Sequence, residues 1–364
     1  MTETGTGVRL LTDIAVIGAG QAGLSAAWHL KRLGLKPGRG FVVLDSESAP
    51  GGAWLHRWPS LTLSTVNRIH DLPGLEFSSV LEPGASEVRA SDAVPRYFAE
   101  YEARFGLQVW QPIRVLEIKG AAGRLEVVTD RGELRARGVI NATGTWQNPH
   151  LPRYPGTELF RGLQLHTRDY RSPEAFRGQH VVVVGAGISA IQLLDEISQV
   201  ATTTWVSRRP PDFREGPFDE GAGRRAVALV DERVRQGLPP QSVVSVTGLP
   251  VTPRIEAMRA RGVLKRREMF TEIMPDGVRF ADGSTLQADV IIWNTGFRGN
   301  LAHLAPLQLH NGSGGITMTG RLATQVAADP RIHLVGYGPS SSTIGANRAG
   351  GAAARELVSY LRDD

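Results

Sequence analysis

The chain of 364 residues contains no cysteine. That absence removes disulfides, thiolate metal sites and any Cys-x-x-Cys redox pair. A dithiol reductase is therefore excluded. Lysine is almost missing as well: of the 41 basic residues, only Lys31, Lys36, Lys119 and Lys265 are lysines. No apolar run approaches the roughly 18 residues that argue for a membrane span. No run of like charges marks a nucleic-acid-binding arm. The N-terminus lacks a basic segment followed by an apolar one, so no export signal is expected. These absences predict a cytoplasmic protein with no membrane and no nucleic acid among its partners. The nine histidines are scattered without ligand spacing, so no metal is expected. The net charge of +5 is spread along the chain and suits anionic cofactors.

Glycine is abundant, at 42 residues, in a composition otherwise ordinary for a globular protein, with 41% hydrophobic and 21% charged residues. The length is enough for two cores. Two glycine-rich turns are the most informative feature. Gly18-Ala19-Gly20-Gln21-Ala22-Gly23 follows the apolar run Ile14–Ile17. Gly185-Ala186-Gly187-Ile188-Ser189-Ala190 follows Val181–Val184. Each stands between a buried-type strand and a helical stretch, the context that a dinucleotide fingerprint requires. The first glycine makes the turn, the second admits a pyrophosphate, and the third small residue lets helix pack on strand. The helix N-terminus then faces the anion.

The next strand in each unit distinguishes the two nucleotides. Phe41–Leu44 ends in Asp45, an acid suited to ribose hydroxyls and repelled by a 2′-phosphate. Thr203–Val206 ends in Ser207-Arg208-Arg209, whose guanidinium forks suit a phosphate. The first unit therefore reads as FAD-binding and the second as NADPH-binding. Taken alone, Arg208 and Arg209 would read as a solvated loop pair.

The fold class expected is α/β, with two Rossmann-like units. Helices are expected over Gln21–Leu33, Tyr97–Phe105, Ile188–Gln199 and Ala226–Gln236, and alternating strands at Ile113–Ile118 and Arg124–Val128. Val139–Gly144 and Asp289–Gly296 close the two units in parallel fashion. Pro149, Pro152 and Pro155 stiffen the linker between them. The tail after Gly296 most easily returns to the first unit. The FAD unit is then residues 1–149 with 294–364, and the NADPH unit 150–293 is inserted in it.

With these pieces in place, the chain resembles the flavin-dependent monooxygenases that carry two dinucleotide-binding domains. That group includes flavin-containing, Baeyer–Villiger, N-hydroxylating and plant indole-pyruvate monooxygenases. The motif F-x-G-x-x-x-H-x-x-x-Y/W is matched by Phe160, Gly162, His166 and Tyr170. Gly51-Gly52-Ala53-Trp54, Ala142-Thr143-Gly144 and Asn294-Thr295-Gly296-Phe297 resemble further family segments. Tyr170 stands where Baeyer–Villiger enzymes carry Trp, which disfavours that subclass. The resemblance implies FAD contacts from Gly18, Gly20, Gln21, Ala22, Gly23, Asp45, Gly52, Trp54, Val115, Thr143 and Gly144, with Thr295, Gly296 and Gly338 on the return. It implies NADPH contacts from Gly185, Gly187, Ile188, Ser189, Ala190, Ser207, Arg208 and Arg209. His166 and Tyr170 would organise the linker near NADPH without entering the chemistry. On base rates alone His166 is a linker residue bonding backbone, and Trp54 could equally pack the core. Ser64 falls roughly where a flavin-side Asn lies in flavin-containing monooxygenases; it, Thr65 and Asn67 are not assigned individually.

The implied chemistry is that of the cofactor. NADPH reduces FAD, dioxygen adds at the flavin C4a position, and an amine, sulfide or carbonyl takes one oxygen atom in a dry pocket. Partners are a small-molecule substrate and O2, and a homodimer is left open. The pocket is expected from Trp54–Pro73 and Pro210–Arg261. Two alternatives share the glycine turns: a cysteine-free NADPH reductase serving a ferredoxin-like partner, and a non-catalytic NADPH sensor.

Overall fold

The computed structural model describes residues 10–66, 69–82, 84–121, 123–215, 220–241 and 248–363. Asn67 and parts of the 210–261 stretch lie outside them. The architecture is mixed α/β and rests on two sheets. The first has nine strands. Its parallel centre runs in the order Asp329–Leu334, Gly132–Asn141, Leu10–Ile17, Phe41–Leu44, Val109–Trp110. The strands Val115–Ala121 and Arg124–Thr129 extend Gly132–Asn141 as an antiparallel meander, as their alternation predicts.

The second sheet has five strands, all parallel, in the order Arg266–Arg267, Thr202–Val206, His180–Val184, Val290–Trp293, Leu163–His166. The two parallel orders correspond strand for strand, with the glycine-turn strand central in each. Only the fifth strand differs in origin. It comes from the C-terminal part of the chain in the first sheet and from the segment before the glycine turn in the second. Continuous runs of β-branched residues belong where helices cover both faces of a parallel sheet. Ile14, Val16, Val181, Val182 and Val183 are accordingly fully buried.

The helix Gln21–Arg32 ends one residue before the expected Leu33, with Gly34 beyond it at φ +94°. That left-handed position is where a helix-terminating glycine belongs. Helix Ile188–Ile197 stops two residues before Gln199. Helix Glu220–Arg235 begins before the expected Ala226. Helix Ala90–Phe105 begins seven residues before the expected Tyr97 and contains Pro95. Pro95 stands sixth, in the second turn, so the helix forgoes the bond to the Ser91 carbonyl there. Ala90, Ala93, Val94, Tyr97 and Tyr101 hold that helix down through one buried stripe. The alternating strand expected at Ile113–Ile118 runs instead from Val115 to Ala121, because the Ile113 N–H bonds the Asp45 carbonyl.

The C-terminal helix Thr343–Asp363 lies directly against Gln21–Arg32, and small residues set the distance. A Cβ on Gly350 would sit 2.6 Å from the Ala22 carbonyl oxygen. Backbone there cannot yield as a side chain would. Gly350→Val is expected to destabilise the fold by about 1–3 kcal/mol, the usual range for overpacking. Equilibrium denaturation measures it, and a midpoint equal to wild type would contradict this packing.

Candidate active site

At the first glycine turn the three glycines have three different reasons. Gly18 is at φ +100°, and a Cβ there would lie 2.5 Å from the Ala142 carbonyl oxygen. At Gly23 a Cβ would lie 1.8 Å from the Gly18 carbonyl oxygen, so this position must be bare for helix to meet strand. At Gly20 nothing stands within 4 Å of the Cβ position. Gly20 is also the N-cap of Gln21–Arg32, and no side chain caps that helix. Its first-turn N–H groups are thus left for another acceptor.

These residues border a cavity of about 600 Å³. Its wall brings together Gly18, Gly20, Gln21, Ala22, Asp45, Gly52, Trp54, Val115, Thr143 and Gly144, all expected from the sequence. A volume in the range usual for ligand sites, a bare Gly20 and an uncapped helix start together fit a dinucleotide. Gln21 donates its Nε2 to the His70 carbonyl (2.9 Å) and to Asn347 Oδ1 (3.0 Å). Its Oε1 is buried without a partner. Gly338 does not line the cavity: a Cβ there would face Val234 and Pro240. Gly336, two residues earlier, does line it. Thr295 and Gly296 are likewise off the wall, while Phe297 is on it.

Asp45 is buried, and its carboxylate accepts the Ala19 N–H and the Glu47 N–H (2.8 Å). Burial pushes its pKa up from the ordinary aspartate value, partly offset by those two N–H groups. The acid expected to face ribose is therefore also a brace for the glycine turn. A second acid, Glu47, shares this wall unannounced by any motif. Its Oε1 lies 2.9 Å from His56 Nε2 and accepts from Gln147 Nε2 at 3.1 Å. Beside it, Arg57 lies over the Trp146 ring, 4.4 Å from the centroid, and 5.4 Å from that of Trp54.

The chain crosses between the sheets twice, and the crossings clasp each other. The Gly144 carbonyl accepts the Asn300 N–H at 2.9 Å, and the Gly296 carbonyl accepts the His150 N–H at 3.0 Å. Thr143 Oγ1 donates to the Asn300 carbonyl at 2.7 Å, and Thr295 Oγ1 donates to that of His150. Trp146 stacks on Phe297, with centroids 5.1 Å apart. Both crossing glycines need the left-handed region, at φ +60° and +77°.

The Phe160–Tyr170 motif proves to be scaffold at each position. A Cβ on Gly162 would strike the Asp289 carbonyl oxygen at 2.3 Å and the Phe160 ring at 2.5 Å. His166 Nδ1 accepts from the Arg168 N–H, which leaves Nε2 to donate to the Gly296 carbonyl at 3.0 Å. Burial pulls its pKa below that of free histidine, consistent with a neutral ring. Tyr170 is fully buried between Trp58 and Phe176 and donates to Glu196 Oε2 at 2.8 Å.

The second glycine turn repeats the first. Gly185 is at φ +132°, with the Asn294 carbonyl oxygen 2.3 Å from its Cβ position. Gly187 has nothing within 4 Å and caps an uncapped helix, while Ala190 is buried. Ile188 and Ser189 are half-buried in its first turn. Ser207 is buried and donates to the Arg209 carbonyl at 2.7 Å. Arg208 and Arg209 are exposed. None of these residues lines the 600 Å³ cavity; they form a separate cradle on the second sheet. A further apolar groove of about 520 Å³, lined by Leu63, Val66, Ile69, Phe77 and Leu81, comes after the Gly-Gly-Ala-Trp segment.

Among the described residues no helix is long and apolar enough to cross a membrane.

Residues 15–217 match the profile of a family described as pyridine nucleotide-disulphide oxidoreductase. The chain is 35% identical to a flavin-containing monooxygenase from Stenotrophomonas maltophilia, whose structure superposes with a TM-score of 0.80 over 97% of this chain and 99% of that one. An indole-3-pyruvate monooxygenase of Oryza sativa subsp. japonica is 29% identical over 79% of this chain and 77% of its own. An uncharacterised CzcO-like oxidoreductase of Geobacillus kaustophilus is 26% identical over 79% of this chain and 81% of its own. Disulphide chemistry needs thiols that this sequence lacks, whereas the match to the flavin-containing monooxygenase runs through both sheets. The chain therefore belongs to the pyridine nucleotide-disulphide oxidoreductase family, as one of its flavin-dependent monooxygenases, oxidoreductases that use FAD and NADPH.

Proposed function

We propose that this protein consumes NADPH and O2 to oxygenate a small organic substrate at an amine nitrogen, a sulfide or a carbonyl. The observation that carries the reading is the pairing of two bare, uncapped glycine cradles, Gly20 and Gly187, on sheets joined by clasped crossings. In this reading the first Rossmann-like unit, residues 1–149 with 294–364, holds FAD. The inserted unit, 150–293, holds NADPH.

Gly18–Gly23 receives the FAD pyrophosphate, with Asp45 and Glu47 at the ribose side. Gly185–Ala190 receives that of NADPH, with Arg208 and Arg209 at its 2′-phosphate. FAD, when bound, supplies the hydride acceptance and the O2 chemistry at its C4a position. The chain's own residues bind, orient and exclude water. Trp54, Trp146 and Phe297 give the cavity an apolar wall beside the two crossings, which keeps activated oxygen from being lost to water. His166 holds the crossing at Gly296, and so fixes one unit against the other.

The test is a screen of NADPH oxidation against amines, sulfides, ketones and 2-oxo acids. Consumption should rise with a productive class while peroxide release falls. Consumption indifferent to every class, with all electrons recovered as peroxide, would contradict the proposal.

A further inference from the structure

Three basic side chains gather where the crossings pass the second glycine cradle. Pro149 and Phe297 pair as an antiparallel bridge. It is flanked by the His150 N–H to the Gly296 carbonyl (3.0 Å) and the Arg298 N–H to the Asn148 carbonyl (2.9 Å). Successive side chains of an extended pair point to opposite faces. Phe297 turns to Trp146 and the wall of the first cavity. Arg298 and His150 therefore share the other face, and Arg298 is exposed and off that wall. Burial lowers the His150 pKa below that of free histidine, and the charges of Arg298 and Arg208 lower it further. Arg208, from the second sheet, thus approaches the same face.

The strand order accounts for this approach. Thr202–Val206, His180–Val184 and Val290–Trp293 are neighbours in that order. The Gly185 turn follows the middle strand, Arg208 follows one neighbour and Arg298 the other. Asn294 ties the end of the third strand to the turn. Its N–H bonds the Val184 carbonyl at 2.7 Å, and its own carbonyl oxygen lies 2.3 Å from the Cβ position of Gly185. The two arginines thus flank the turn at the carboxyl ends of the strands, where ligands of open parallel sheets bind. Among the described residues neither arginine forms an ion pair. By contrast, Arg254 and Arg261 both reach Asp195. Like charges gathered without a counter-charge repel, and an anion between them turns repulsion into attraction. The uncapped start of helix Ile188–Ile197 favours an anion at the same turn.

We propose that Arg298, a residue of the return to the FAD unit, binds a phosphate of the nucleotide held on the second sheet, across the turn from Arg208. The inference rests on the reading that the second cradle holds NADPH. It makes that site composite, since a side chain of residues 294–364 completes a site on residues 150–293. NADPH offers two sources of phosphate, its 2′-phosphate and its pyrophosphate, and NAD+ separates them. The test is calorimetric titration of FAD-loaded enzyme with NADP+ and with NAD+. Arg298→Gln is expected to weaken NADP+ binding at least about 10-fold, the lower end of what a charged hydrogen bond contributes. Flavin content and melting temperature should stay as in wild type. Arg298→Lys keeps the charge, loses the planar fork and should recover part of the affinity. Unchanged NAD+ affinity in Arg298→Gln assigns the residue to the 2′-phosphate, and an equal loss with NAD+ assigns it to the pyrophosphate. NADP+ affinity within about 2-fold of wild type in Arg298→Gln would overturn the proposal. So would a loss that Arg298→Lys does not relieve and that lowers flavin content, the mark of a disturbed crossing. If Arg208→Ala weakens NADP+ binding while Arg298→Gln does not, this inference alone fails. If neither does, the NADPH reading of the cradle fails with it.

Discussion

Gly20→Val is expected to give a folded protein that purifies almost free of flavin. The position has ordinary backbone geometry, φ −75°, and nothing within 4 Å of a Cβ. A side chain therefore meets no protein atom and costs the apoprotein little beyond a poorer helix N-cap, roughly 1 kcal/mol. What it fills is the approach to the helix N-terminus. An overpacking penalty of about 1–3 kcal/mol falls entirely on the complex and weakens flavin binding about 5- to 150-fold. Gly18→Val is the contrasting control. Its φ of +100° and the Ala142 carbonyl at 2.5 Å make it a folding defect. Flavin absorbance per chain and the apoprotein melting temperature separate the two. Full flavin in Gly20→Val would place FAD elsewhere.

Arg208→Ala and Arg209→Ala are expected to raise the KM for NADPH about 10-fold or more and to leave that for NADH nearly unchanged. Their neighbours are already committed. Arg266 Nη1 donates to the Ser207 carbonyl at 2.7 Å, and Arg267 lies 3.6 Å over the Phe280 ring and donates to Ser284. Arg208 and Arg209 are the exposed cations left at the end of Thr202–Val206. A charge-assisted bond contributes roughly 1.5–3 kcal/mol, and each 1.4 kcal/mol is about tenfold. Steady-state kinetics with both nucleotides check it. Equal losses with NADPH and NADH would remove the 2′-phosphate from this site.

What could be read in the sequence was whatever the backbone itself demands. Gly18, Gly23 and Gly185 stand where a carbonyl oxygen occupies the place of a Cβ, so only glycine serves and the spacing survives as a motif. The Phe160–Tyr170 pattern is legible for the same reason: a ring packed over a missing Cβ and two specific hydrogen bonds fix its four positions. Side chains that converge from separate segments leave no such trace. Glu47, His56, Arg57 and Trp146 meet only after folding, and no periodicity links them. The resemblance puts Gly338 at the cofactor, but it is Gly336 that lines the cavity. The turn after Asp329–Leu334 brings the earlier residue to face Ala22. The helix Ala90–Phe105 starts earlier than Tyr97 and runs through Pro95, because the stripe Ala90, Ala93, Val94, Tyr97 and Tyr101 is buried.

Electrons from NADPH are expected to end in an oxygenated organic product. The most direct measurement is turnover under isotopically labelled O2 with a substrate that accelerates NADPH oxidation, with mass spectrometry of the product. One labelled oxygen atom per product molecule, in proportion to NADPH consumed, is the result expected. Unlabelled product, or electrons that pass readily to a ferredoxin while no product gains oxygen, would contradict it and make the protein a reductase.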